Sequence, residues 1–395
     1  MTRREVEPTR ATTAAAGAAT GTLTLGGARV TPKGDTTSAG SARSWAKQHF
    51  KGLETILMPS FTPDLKGLDE DGIRHDVRMS KKHGFFSVFC VPVGLTEVEA
   101  VRMIQIAADE ANGELQVGFE VIALDVKDSV PLIRRAAEAG ATHILAHPSH
   151  DFKPRDEADL LDHYNTIIDA SDLKVALWAT DGNQFRHLYP ANNVPLPVFN
   201  RLADNEKVVA VKLMTTLDEA TVFEICETLK DRLLIGCVNL RFFPMLAKYY
   251  HAQWSGAWTG EALQSPEKPY IKNYIDAMNA GDFPKALKIF RQIGPAYGEL
   301  FKLMAPVLPF GVHPFHQLKY YQWFVGGNGG LMRLPHDPME RKFPVSQEQR
   351  DHIAEAFGTL GIDKVGPDES FIVGRSQYAN GIRAQHAADN PMYVT

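Results

Sequence analysis

From Leu53 onward, short apolar runs alternate with stretches whose apolar residues recur at helical spacing. Runs at 55–58, 85–91, 115–122, 142–146, 174–178, 208–214 and 233–238 predict strands, and Gly256-Ala257-Trp258 predicts a short eighth. Helices are predicted between them. Over 68–83, Ile73, Val77 and Ser80 share a face, and Gly84 supplies a C-terminal stop. Thr96-x-x-Glu99 is a capping box opening a helix that carries Val98, Val101 and Ile104. Further helical patterns cover 127–139, 157–170, 196–203, 217–229 and 241–253. Strand–helix units repeated in this way predict a (β/α)8 TIM barrel rather than an open doubly wound sheet. No Gly-x-Gly-x-x-Gly follows the first strand, which argues against a dinucleotide-binding fold.

Beyond the barrel, helices are predicted at 270–280, 284–303, 316–325 and 347–360, with irregular chain after Asp363. The resulting division is a low-complexity, disordered extension at 1–45, the barrel at 46–262, a packed helical region at 263–362 and an irregular tail at 363–395. Gly326-Gly327-Asn328-Gly329-Gly330 reads as a flexible turn. It lacks the preceding strand and the Lys-Ser/Thr of a phosphate-cradling loop.

Composition narrows the function classes. The 395 residues are 44% hydrophobic and 23% charged, the balance of a soluble globular protein. A net charge of −5 argues against nucleic acid or an anionic membrane as partner. Cys90, Cys226 and Cys237 all lie in apolar segments and read as buried thiols of a reducing cytosol, so a cytoplasmic location is expected. Arg3-Arg4 is not followed by the apolar region of a twin-arginine signal, and no apolar run has membrane-spanning length.

Candidate chemistry centres on Val208-Val209-Ala210-Val211-Lys212-Leu213-Met214, an apolar strand with one lysine inside it. An ammonium group there is costly unless it is paired, faces a cavity or gives up its charge. In a barrel, functional groups gather at the carboxyl ends of the strands, where Lys212 falls. A free amine in that position adds to carbonyl carbons, and the resulting Schiff base withdraws electrons from the neighbouring carbon.

On these residues the chain resembles the dihydrodipicolinate synthase / N-acetylneuraminate lyase family of Schiff-base barrels, as a divergent member. The Val208–Lys212 strand resembles the family's Ile-Ile-Gly-Ile-Lys, and Met58-Pro59-Ser60-Phe61-Thr62-Pro63 resembles its opening Pro-x-x-Thr-Pro segment. The resemblance covers roughly 53–360 and includes Pro335 and the last predicted helix. It implies a lyase, aldolase, dehydratase or synthase acting through Lys212 on a 2-oxo acid or related carbonyl compound, with no cofactor. It also implies a homo-oligomer, dimer or tetramer.

The departures are specific. Where the family has a hydroxyl-bearing loop for the substrate carboxylate, this chain reads Val91-Pro92-Val93-Gly94-Leu95-Thr96-Glu97. Where the family has a proton-shuttling tyrosine on strand five, this chain has Trp178, whose indole is a donor only. After strand four, Pro148-Ser149-His150 replaces Pro-Tyr-Tyr. His150 and His147 are therefore the candidate proton carriers beside Lys212, since imidazole titrates near neutrality. Trp178, Thr180, Arg186, Glu120, Gly94 and Asn239 are candidate substrate contacts, with Arg241 at the same rim. Arg186 would hold a carboxylate, and Glu120, a carboxylate in an apolar run, would be a buried base. His147-x-x-His150 and His313-x-x-His316 lack the helical context of a zinc site, so no metal is expected. The aromatic-rich 316–324 is read as a packing helix or subunit contact. Two other readings stay open: a barrel that binds a ligand or partner without Schiff-base chemistry, and a metal-dependent hydrolase.

Overall fold

The computed structural model describes residues 40–120, 126–149, 151–180, 183–256, 259–305, 313–333 and 345–387. Most of the predicted extension, His150 and part of the predicted eighth strand lie outside the described residues. Eight parallel strands close in sequence order: β1 (Gly52–Leu57), β2 (Ser87–Cys90), β3 (Gln116–Glu120), β4 (His143–Ala146), β5 (Lys174–Ala179), β6 (Val208–Leu213), β7 (Leu234–Cys237) and β8 (Trp254–Ser255). Closure is made where Gly52 and Leu53 pair with Trp254 and Ser255. The eighth strand thus lies two residues before the place its apolar signal predicts.

The first helix, α1 (Gly40–His49), starts inside the segment read as an extension and leads into β1. The crossover helices are α2 (Glu70–His83), α3 (Glu97–Ala111), α4 (Val126–Glu138), α5 (Glu157–Ile168), α6 (Leu196–Leu202), α7 (Glu219–Leu229) and α8 (Phe243–Tyr250). Their ends follow local chemistry. Thr96 and Glu99 form the predicted capping box, and Gly84 takes a left-handed φ of 73° to close α2. The parallel strands are buried on both faces, which explains their unbroken apolar runs; all six residues of β6 are buried. All three cysteines are buried and unpaired.

After the barrel come α9 (Tyr270–Asn279), α10 (Phe283–Met304), α11 (Phe315–Phe324) and α12 (Gln347–Thr359), close to their predicted limits. The chain after Asp363 is not irregular throughout, since it forms α13 (Glu369–Val373) and α14 (Arg375–Ala379). These were invisible to periodicity because five residues span little more than one turn. Residues 316–324 of α11 are buried within the chain, which makes it a packing helix. Its polar groups are satisfied inward: Gln322 donates to the Ile56 carbonyl at 2.9 Å and Trp323 to Ser370 at 3.0 Å. The 326–330 segment is likewise not a free turn. It is buried, and Asn328 donates to Ser60 at 3.1 Å and accepts from the Ser376 backbone at 2.9 Å.

No helix among the described residues is long and apolar enough to cross a membrane.

Candidate active site

Lys212 sits one residue from the end of β6, in register with Trp178 on β5 and Gly236 on β7. It is 8% exposed, so its charge demands a partner. Glu54 of β1 supplies one, with Oε1 at 3.6 Å from Nζ. The second oxygen of Glu54 accepts from Ser87 of β2 at 3.0 Å and lies 2.8 Å from Nε2 of His143 on β4. An ionised carboxylate can only accept, so that His143 nitrogen carries the proton. The other His143 nitrogen is 3.0 Å from the Thr142 hydroxyl. Four strands therefore meet in one polar chain inside an otherwise apolar barrel. Burial pushes the Glu54 carboxyl up. The His143 hydrogen bond, the Lys212 and His143 charges and the Ser87 hydroxyl outweigh it, holding Glu54 below the ordinary carboxylate range.

Two glycines make room for this arrangement. A side-chain carbon at Gly256 would lie 2.7 Å from Lys212 Nζ, and one at Gly118 would collide with the His143 ring.

The other side of Lys212 faces a pocket whose empty space, open solvent at its mouth included, is about 500 Å³. Ile56, Phe89, Leu145 and Trp178 wall it from β1, β2, β4 and β5, and Val91, Met214, Val238 and Phe315 complete the apolar lining. The ammonium also lies 5.0 Å from the Phe89 ring centroid. The polar side chains of the lining are Lys212, Glu120, His313 and the Trp178 indole. Burial raises the Glu120 carboxyl to about 7, the Lys212 charge offsetting only part of the effect. Burial likewise lowers His313 to about 4, assisted by Lys212, so this imidazole is neutral at physiological pH.

Of the residues singled out from sequence, Lys212, Glu120 and Trp178 come together at this cavity. His150 lies outside the described residues, and the other described candidates are not part of the lining. His147 is buried beside it, its ring 5.1 Å from Trp178, with Nδ1 donating to the Pro148 carbonyl at 2.6 Å. Asn239 accepts from Tyr297 at 3.3 Å and from the Arg241 backbone at 3.0 Å. Arg241 itself stacks on Tyr297 and Phe301. Arg186 is exposed, Thr180 is half-buried after β5, and Gly94 packs against Arg333.

Glu54, His143, Ser87 and His313 were not picked out. Glu54 carried the signal that exposed Glu120, a carboxylate in an apolar strand, but lies one residue before the run read as strand one. His313 was noticed only as half of a metal-type pair. Its companion His316 instead accepts from the Met332 backbone at 3.3 Å. No cluster of three or more metal-ligand side chains occurs among the described residues. Lys319, the other buried lysine among the described residues, is pushed down to about 8 by burial but donates to the Pro59 carbonyl and to Ser60, away from this cavity.

Comparison with known proteins gives this geometry a context. Over 266 residues the chain is 27% identical to 4-hydroxy-tetrahydrodipicolinate synthase of Methanopyrus kandleri, covering 65% of this chain and 84% of the relative. It is 26% identical over 201 residues to N-acetylneuraminate lyase of Clostridium perfringens, covering 49% and 67%. In fold it is similar to dihydrodipicolinate synthase from Oceanobacillus iheyensis, with a TM-score of 0.65 at 18% identity, over 81% of this chain and 99% of that one. A similar match is N-acetylneuraminate lyase from Fusobacterium nucleatum, with a TM-score of 0.62 at 18% identity, over 80% and 100%. The model of the dihydrodipicolinate synthetase family matches residues 92–313, more than half of the chain, so the protein belongs to that family of class I aldolase-type lyases and synthases.

Proposed function

We propose that the protein is a Schiff-base lyase, with Lys212 as the nucleophile toward a 2-oxo acid or related carbonyl compound. The observation that carries this reading is the position of Lys212, one side against Glu54 and the other open to a cavity. Glu120 is the group suited to move protons. It borders the same cavity and titrates near neutrality, whereas Glu54 is held ionised. In the first step Lys212 gives a proton to Glu120 and its free amine adds to the carbonyl carbon, forming the C–N bond. Glu120 returns that proton to the former carbonyl oxygen, then carries a second one from the new C–N nitrogen to the same oxygen, which departs as water and leaves an iminium. The iminium then draws the electrons of a C–H or C–C bond at the adjacent carbon, which breaks to leave an enamine; Glu120 takes the released proton, either from that carbon or from the hydroxyl of the fragment that departs as a carbonyl compound. His313, neutral and at the same cavity, is a hydrogen-bonding group for the substrate rather than a base.

This reading gives proton transfer to Glu120 in place of the expected His150 or His147, of which His150 lies outside the described residues. The proposal also includes a cytoplasmic homo-oligomer, which sedimentation of the purified protein tests. The catalytic test is borohydride reduction in the presence of carbonyl compounds, followed by peptide mass mapping. The expected result is one adduct, on Lys212, lost in Lys212→Ala and retained in Lys319→Ala. Failure to trap Lys212 with any carbonyl would favour a barrel that binds a ligand without covalent chemistry.

A further inference from the structure

Inward-facing side chains stack in two layers inside the barrel. The upper layer borders the pocket: Ile56 of β1, Phe89 of β2, Glu120 of β3, Leu145 of β4, Trp178 of β5 and Lys212 of β6. Two residues earlier on β1, β2 and β4 stand Glu54, Ser87 and His143, the last two both bound to Glu54. Lys212 belongs to the upper layer, yet its nitrogen reaches down to the lower one, 3.6 Å from Glu54 Oε1. β1 thus presents Ile56 to a substrate and Glu54 to the lysine nitrogen.

Glu54 cannot turn toward the pocket without giving up its other partners. Its Oε2 meets the Ser87 hydroxyl at 3.0 Å and His143 Nε2 at 2.8 Å, with the Thr142 hydroxyl behind the imidazole at 3.0 Å. These contacts keep the carboxyl ionised in spite of burial. The charged and titratable groups around Lys212 among the described residues are Glu54 of β1, backed by His143 of β4, then Glu120 of β3 and His313 ahead of α11. Its register neighbours on β5 and β7, Trp178 and Gly236, carry no charge. The Phe89 ring, 5.0 Å from the nitrogen, is a second feature that favours a cation at this point.

In the reaction this nitrogen is an ammonium at rest, an amine as it attacks and an iminium in the adduct. An iminium among apolar side chains is costly without an anion beside it. We propose that Glu54 is the fixed counter-ion of the Lys212 nitrogen: held by Ser87 and His143, it keeps the adduct in the iminium form and takes no proton itself. Glu54 and His143 are then positioning residues, and the proton transfers stay with Glu120. This inference rests on the Schiff-base reading and separates the roles of the two carboxylates within it.

Cinnamaldehyde is the probe, because it has no saturated α-carbon and its adduct cannot pass on to an enamine. Amine and aldehyde lose one water between them, and the iminium absorbs at longer wavelength than the neutral imine left when the nitrogen gives up its proton. The Lys212 band of the whole protein is read as the difference from Lys212→Met, and the adduct is mapped after borohydride reduction. In the unaltered protein the band is expected to persist to a pH no lower than that of the butylamine adduct in water, although burial alone would lower it. Glu54→Gln is expected to lower the midpoint by at least about 1 pH unit, with Glu54→Asp between the two and Glu120→Gln causing a smaller fall than Glu54→Gln. The comparison with butylamine needs no variant to fold. A midpoint below that of the butylamine adduct, or one that Glu54→Gln moves by less than this or by less than Glu120→Gln does, overturns the inference and leaves Schiff-base chemistry standing. Absence of a Lys212 adduct with both cinnamaldehyde and pyruvate overturns both.

Discussion

Glu54 and Glu120 are both carboxylates in apolar strands around one lysine, yet their environments push them in opposite directions. Glu54 has His143, Ser87 and Lys212 within reach, while burial dominates at Glu120. Opposite consequences follow on mutation. Glu54→Gln removes the partner of a buried ammonium and should destabilise the fold by about 3–5 kcal/mol in denaturant titration. Adding Lys212→Met should recover part of that loss, because the orphaned charge goes with it. For Glu120 the folded group holds its proton to about 7 while the unfolded one releases it near 4.5. Stability should therefore fall as pH rises through that window, by about 1–3 kcal/mol, and level off above it. Glu120→Gln should flatten the dependence, as read from urea midpoints at pH 5 and pH 8. Lys212 and Glu120 were legible from sequence because a charge in an apolar run is a local signal. Glu54–His143 was not, because its meaning depends on which strands face each other across the closed barrel. His313, about a hundred residues beyond Lys212, reaches the cavity only through the packing of the C-terminal helices.

The strands and crossover helices were readable for a physical reason. Parallel strands buried on both faces leave unbroken apolar runs, and amphipathic helices leave a period near 3.6. What period cannot encode is the clearance between strands. Gly256 lies on the short run after β8, and an alanine there would press directly on the Lys212 amine. Gly256→Ala should keep the barrel's circular dichroism while lowering the rate of reductive trapping by about tenfold or more, since small displacements at a reacting group are costly. The glycine-rich 326–330 segment shows the same limit from the other side. Composition alone favours a mobile turn, but the buried Asn328 side chain joins Ser60 beyond β1 to the start of α14. Asn328→Ala removes three side-chain hydrogen bonds, to Ser60, the Gly329 carbonyl and the Ser376 backbone, and should lower stability by about 2–3 kcal/mol in thermal or chemical unfolding.

On the scale of the molecule, the helices beyond the barrel help to shape the site. α11 delivers Phe315, with His313 just before it, to the cavity, and it is fastened to β1 through Gln322. Arg375 of α14 in turn donates to the carbonyls of Gly327 and Trp323, each at 2.8 Å. Ending the chain before α13 should therefore lower the melting temperature and weaken trapping at Lys212 together, whereas Ser346→Ala, which removes only the cap of α12, should cost about 1 kcal/mol and leave trapping unchanged. The barrel's inner polar chain has a consequence for descent. Glu54, Ser87, His143 and Lys212 come from four strands; the other three all meet on Glu54, so replacing Glu54 strips each of them of this partner, and replacing any of them strips Glu54 of one. A lineage drifting by single substitutions meets a penalty at its first step in every direction, so the four positions form one heritable unit. Relatives that lack an acid at the place of Glu54 should also lack the imidazole at the place of His143. A library randomising all four should return survivors that keep the set whole or exchange it whole for apolar side chains.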